Sequence, residues 1–176
     1  MTSPLNPPLA PPVLRPSLRF MLAHPAHVIA LGFGSGLSPL APGTAGTLFG
    51  WASFLLLDRW LSDTGIAFVI VVSLAIGWWA CTATAHHMRV LDPGSIVWDE
   101  VVSFWIVLWL FMPAGFWGQL AAFALFRLLD AVKPGPIGWA DGLFHGFGWR
   151  AGFGIFFDDL MAAFCTLLLL AAWRFW

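Results

Sequence analysis

Charge is what this sequence has least of. Only 10% of its 176 residues are Asp, Glu, Lys or Arg, against 60% hydrophobic; a typical soluble domain carries roughly 25% charged residues. A water-soluble chain of this length has no interior large enough for that apolar surface, so lipid is the expected solvent for much of it. Net charge is −1. No basic stripe or stacking platform is present, which excludes nucleic acid as a partner. There are two cysteines, Cys81 and Cys165, each inside an apolar run, which excludes a disulfide framework or a cysteine metal site. The twelve Trp occur without a single Tyr, and several sit near the ends of apolar runs, where aromatic anchoring at an interface is expected. The first twenty residues lack the apolar centre of a secretory signal and are rich in proline, so residues 1–24 are expected to be a disordered tail and 25–176 one membrane domain.

Four stretches are apolar and nearly free of charge. Residues 28–57 are broken by Gly and Pro up to Gly46, which leaves about 47–60 as a helix. Residues 64–85 form the best single spanning candidate. Residues 101–126 are interrupted at Met112-Pro113-Ala114-Gly115, and 160–173 close the chain. The third stretch is either one tilted helix of about 39 Å or a hairpin of two short helices. Proline removes a helical hydrogen bond and clashes with the preceding turn, and Gly115 supplies a bend, so a hairpin is the expectation. It gathers the loop 32–47, residues 86–100 and residues 127–159 on one side. Six of the eight basic residues (Arg15, Arg19, Arg89, Arg127, Lys133, Arg150) then share that side, against Arg59 and Arg174 opposite. Positive-inside bias makes the shared side cytoplasmic. The fold class expected is all-α, a compact multi-helix integral membrane domain with its charged site at the cytoplasmic face.

The scarce charges are also clustered. Asp99-Glu100 open the third apolar stretch, Arg127, Asp130 and Lys133 recur at spacings of three, and Asp158-Asp159 lie inside an apolar segment. Residues three apart share a helical face. Ionisable groups at membrane depth cost several kcal/mol unless paired or hydrated, so these clusters require counter-charge. Structural ion pairs, or carboxylates at helix N-termini, account for any one cluster. Three together point to a hard divalent cation, and Mg²⁺ takes one or two carboxylates plus substrate phosphate. Asp99 and Asp159 are the expected metal ligands. Glu100 or Asp158 orients or deprotonates water, Arg127 and Lys133 suit phosphate oxygens, and Asp130 completes the catalytic set.

A Gly-rich segment, 34–47, precedes the second stretch. Its Gly43, Thr44, Gly46 and Thr47 are expected at a helix N-terminus that receives phosphate, although a tight turn or close helix packing explains the glycines equally well. No Gly-Lys-Ser/Thr phosphate loop, Gly-x-Ser-x-Gly nucleophile or His-Glu-x-x-His zinc spacing occurs. His24, His27, His86, His87 and His145 are read as structural or solvated. Asp92 and Asp141 are loop carboxylates that could support the site from outside it.

Four segments resemble the phosphatidylglycerophosphatase A family: GFGSGLSPLAPGTAGTL (32–48), GSIVWDE (94–100), FRLLDAVKPGPI (126–137) and GFGIFFDD (152–159). They span nearly the whole chain in family order. The resemblance implies an all-α enzyme of the bacterial cytoplasmic membrane, multi-pass, with its active site facing the cytoplasm. It implies Mg²⁺-dependent hydrolysis of phosphatidylglycerophosphate to phosphatidylglycerol and phosphate, with the lipid bilayer as the other partner. Carried over by motif, Asp99, Glu100, Arg127, Asp130, Lys133, Asp158 and Asp159 are the site candidates, with Gly43, Thr44, Gly46 and Thr47 in the loop. Two features depart from the family. Ser103 stands where the family has glycine, and residues 147–151 are additional, which leaves Arg150 out of the site. The alternatives are a phosphotransferase or phosphatase acting on another lipid phosphate, or a small ion or proton transporter with carboxylates spread through the membrane depth.

Overall fold

The structure, a computed structural model, describes residues 14–90, 93–135, 137–139 and 149–174. All regular structure among them is helical: α1 (Leu18–Leu22), α2 (Pro25–Ala30), a 3-10 turn (Gly32–Leu37), α3 (Pro42–Trp60), α4 (Asp63–Met88), α5 (Trp98–Phe111), α6 (Phe116–Val132) and α7 (Trp149–Arg174). Asp92, Asp141 and His145 lie outside the described residues.

Local chemistry sets most boundaries. Ser17 and Ser62 cap α1 and α4 by accepting from the N–H groups of Phe20 and Gly65, the ordinary role of serine before a helix. Proline occupies the first turn of α2 and of α3, where its missing N–H costs nothing. Pro42 therefore starts α3 five residues before the expected start at Thr47, and Gly43 to Thr47 are helical, not loop. Arg89 and Lys133 end α4 and α6 in the left-handed conformation usual after a helix. Residues 18–22, expected in the disordered tail, form α1 and bury Met21.

α5 is the central helix. It packs against α3, α4, α6 and α7, and Val101, Val102, Phe104, Val107 and Leu108 along it are fully buried. Small residues bring its neighbours close. A Cβ on Gly50 of α3 would stand 3.2 Å from the Val101 backbone, and Trp105 donates its indole N–H to the Gly50 carbonyl at 2.9 Å. On α4, Gly77 makes room for the Trp98 ring, whose N–H reaches the Ser73 carbonyl at 3.2 Å. The Val97 N–H donates to the Ala30 carbonyl at 2.9 Å. The start of α5 is thus held from three sides.

The hairpin expected at Pro113–Gly115 forms: α5 ends at Phe111, α6 begins at Phe116, and Gln119 closes the bend by donating to the Ala114 carbonyl at 2.8 Å. Helices α4 and α7 each contain a stretch long and apolar enough to cross a bilayer, with mean hydropathies of 2.2 and 1.7. Only 28% of that stretch of α4 is buried against the protein, and Phe68, Val71 and Trp79 on it are more than half exposed. An apolar surface of that extent is stable in lipid and not in water.

Candidate active site

The hairpin returns the start of α5 to the end of α6, and α7 passes beside both. Five carboxylates meet there. Asp99 and Glu100 sit in the first turn of α5, Asp130 in the last turn of α6, and Asp158-Asp159 nine and ten residues into α7. The last pair lies well past the N-terminal turn, so the helix dipole is not what holds it. Asp99, Asp130, Asp158 and Asp159 are all buried.

Two basic residues organise this group. Arg127 Nη1 donates to Glu100 Oε1 at 3.0 Å and to Asp130 Oδ2 at 2.6 Å. Lys133 Nζ donates to Asp158 Oδ2 at 2.5 Å. The left-handed cap at Lys133 (φ 47°) turns the chain at the end of α6, at the very residue that bridges to Asp158 of α7. One oxygen each from Asp130, Asp158 and Asp159 lie within 4.8 Å of one another. Oxygens on opposite sides of a magnesium ion stand about 4 Å apart, so this donor set is of the right kind and nearly the right size for a hard cation. Buried Glu100 Oε2 and Arg127 Nε make no hydrogen bond. With five carboxylates and two fixed cations, the cluster is short of positive charge among the described residues, and deeply buried like charges are costly without compensation.

The carboxylate and basic candidates therefore lie together. The converging carboxylates are Asp130, Asp158 and Asp159, so Asp130 joins Asp159 and the expected partner Asp99 stands outside this trio. Asp99 is itself buried, in the first turn of α5 beside Glu100. Thr47 is fully buried and its hydroxyl donates to the Gly43 carbonyl at 2.9 Å, so it serves its own helix and has no hydroxyl proton left for phosphate. Gly43 and Gly46 face the cluster directly. A Cβ at Gly43 would overlap Glu100 Oε1 and Arg127 Nη2, and one at Gly46 would meet Val97 and Glu100 Oε2. Thr44 is half-buried in the same first turn.

His24, His27, His86 and His87 form a separate group. His27 Nδ1 pairs with the Phe20 carbonyl and its Nε2 with His87 Nδ1, both at 2.8 Å. A carbonyl only accepts, so His27 donates from Nδ1 to Phe20. This clasp ties α2 to the end of α4. The Ser103 hydroxyl is fully buried without a hydrogen bond.

Comparison with known proteins follows the same residues. The family model for phosphatidylglycerophosphatase A matches residues 28–174. The Escherichia coli protein of that name is 43% identical over 145 residues, which cover 82% of this chain and 80% of its own. The Haemophilus influenzae protein of the same name is 40% identical over 161 residues, 90% and 94% of the two chains. A Bacteroides thetaiotaomicron relative, provisionally named a phosphatidylinositol-3-phosphatase, is 37% identical over 155 residues, 84% and 92% of the two chains. No solved structure matches.

Proposed function

Because this chain belongs to the phosphatidylglycerophosphatase A family, we propose that its acidic cluster is the active site of a lipid phosphatase that hydrolyses phosphatidylglycerophosphate to phosphatidylglycerol and phosphate. The observation that carries the reading is the convergence of Asp130, Asp158 and Asp159 beside Arg127 and Lys133. A phosphomonoester brings negative charge into a site already rich in carboxylates, so a divalent cation is needed for the two to coexist. Asp130, Asp158 and Asp159 would hold Mg²⁺. Once bound, it supplies charge neutralisation at the phosphate and a more acidic water.

The chain's own residues do the rest. Glu100 and Asp130 occupy Nη1 of Arg127 and so fix the guanidinium plane. Its other edge, Nε and Nη2, is turned toward the first turn of α3. The N–H groups of Gly43 and Thr44 have no acceptor within that helix. Both elements suit a phosphate group, since Arg pairs bidentately with its oxygens and a helix N-terminus favours an anion. Lys133 adds a point charge, and Glu100, whose Oε2 makes no hydrogen bond, orients and deprotonates the attacking water. Asp99 keeps the local field negative and supports Asp159. Attack is direct, without a phosphorylated carboxylate. Trapping ³²P from substrate on the protein, with loss on replacing an Asp, would overturn that.

The cluster lies on the side that collects most basic residues, so it faces the cytoplasm of a bacterial inner membrane. A transporter would carry carboxylates through the membrane depth, whereas α4 has none between Asp63 and its last turn. The Bacteroides relative favours a second substrate reading, another lipid phosphomonoester. Purified protein is given phosphatidylglycerophosphate, phosphatidic acid or phosphatidylinositol 3-phosphate, with and without Mg²⁺. Preferred release of phosphate from the first, dependent on the metal, is expected. Preference for another lipid would replace the substrate, and full activity in chelator would remove the cation.

A further inference from the structure

We propose that Gly43 is a positioning residue: its bare Cα is the space in which Glu100 and Arg127 meet. This rests on the phosphatase reading for its consequence in catalysis but on geometry for its existence.

The backbone does not ask for glycine here. Gly43 lies in the first turn of α3, outside the left-handed region occupied by Gly32, Gly34 and Gly135, and alanine is the better helix former. What excludes a side chain is the opposite helix pair. An ideal Cβ on Gly43 would stand 2.2 Å from Glu100 Oε1, 3.0 Å from Glu100 Cδ and 2.8 Å from Arg127 Nη2. Those are the two groups whose 3.0 Å ion pair orients the guanidinium.

The nature of the colliding atoms separates Gly43 from Gly36, Gly46 and Gly50. A Cβ on Gly36 would meet the Ser95 carbonyl at 2.1 Å, one on Gly50 the Val101 backbone at 3.2 Å, and one on Gly46 the Val97 Cβ at 2.6 Å. Those neighbours are backbone or fixed to it, so a substitution there strains the fold. At Gly43 the neighbours are the ends of two flexible side chains. An added methyl drives the Glu100 carboxylate away and leaves the helices in place. The ion pair is lost and the guanidinium turns from the edge it presents to phosphate.

The test is a mutant cycle read twice, on thermal unfolding in detergent and on phosphate release from phosphatidylglycerophosphate. Gly43→Ala is expected to insert in the membrane and to lose at least about ten-fold in kcat, the size of one charge-assisted contact. Adding Glu100→Asp, one methylene shorter, is expected to raise kcat above that of Gly43→Ala alone. On unfolding, the shift caused by Gly43→Ala is expected to shrink in a Glu100→Ala background, where the two Glu100 contacts are gone and only that to Arg127 Nη2 remains. Additive shifts, or a Gly43→Ala enzyme with at least half the parent's kcat, would overturn the proposal. If Gly43→Ala fails to accumulate, the Gly43→Ala/Glu100→Ala protein is expected to be recovered, and its absence too would overturn the proposal. A parent protein inactive on this lipid but with the non-additive unfolding cycle would sink the substrate reading and leave the positioning role standing.

Discussion

One oxygen each from Asp130, Asp158 and Asp159 lies within 4.8 Å of the others, and each residue is buried; in the proposed reading one divalent ion joins them. Replacing Asp130 or Asp159 by Asn is expected to lower phosphate release by at least about a hundred-fold, since removing a ligand also strips several kcal/mol of charge stabilisation from the transition state. Membrane insertion should be unchanged. Asp99→Asn is expected to cost less than either, and a larger loss there would return Asp99 to the ligand set. Mg²⁺ should raise the melting temperature of the parent and not of Asp159→Asn, because a ligand stabilises only the protein that binds it. Ser103 gives a prediction of opposite sign. Its hydroxyl is buried without a partner, so Ser103→Ala is expected to leave stability unchanged or raise it by about 1 kcal/mol, read as the midpoint of thermal unfolding. The carboxylates themselves are legible in the sequence because charge is so rare around them. Which three converge is not legible: Asp130 and Asp158 lie 28 positions apart in the numbering, and only the packing of α6 on α7 sets their distance.

At the scale of elements, the hairpin and the first turn of α3 decide the site. The hairpin is readable from Pro113 and Gly115, because proline breaks a helix for a purely local reason. The start of α3 is not. A run with Gly43 and Gly46 reads as loop because glycine weakens a helix by roughly 1 kcal/mol at each position relative to alanine, yet α3 starts at Pro42, and Gly46 and Gly50 let it lie close against Val97 and Val101. Gly50→Val is accordingly expected to force α3 from α5 and to destabilise the protein by about 1–3 kcal/mol, the cost of overpacking. Reduced membrane yield and a lower melting temperature would show it. The His27–His87 clasp illustrates the same limit, since its partners are 60 positions apart and each histidine alone reads as an ordinary surface residue.

For the whole molecule, the side on which each helix ends is the testable quantity. In a background with Cys81 and Cys165 replaced by Ala, a single cysteine at Arg89 is expected to react with an impermeant thiol reagent only from the cytoplasm, and one at Asp63 only from the opposite side. Labelling of both from one side would end the arrangement, because α4 would then not cross.

The outer face of α4 sets how such an enzyme meets its lipid. In the proposed reading, with most of its apolar stretch unburied, the protein travels in the same two-dimensional fluid as a phospholipid. Encounter is then a lateral search within one leaflet, no acyl chain has to be pulled into water, and inorganic phosphate is the one product released to the aqueous phase.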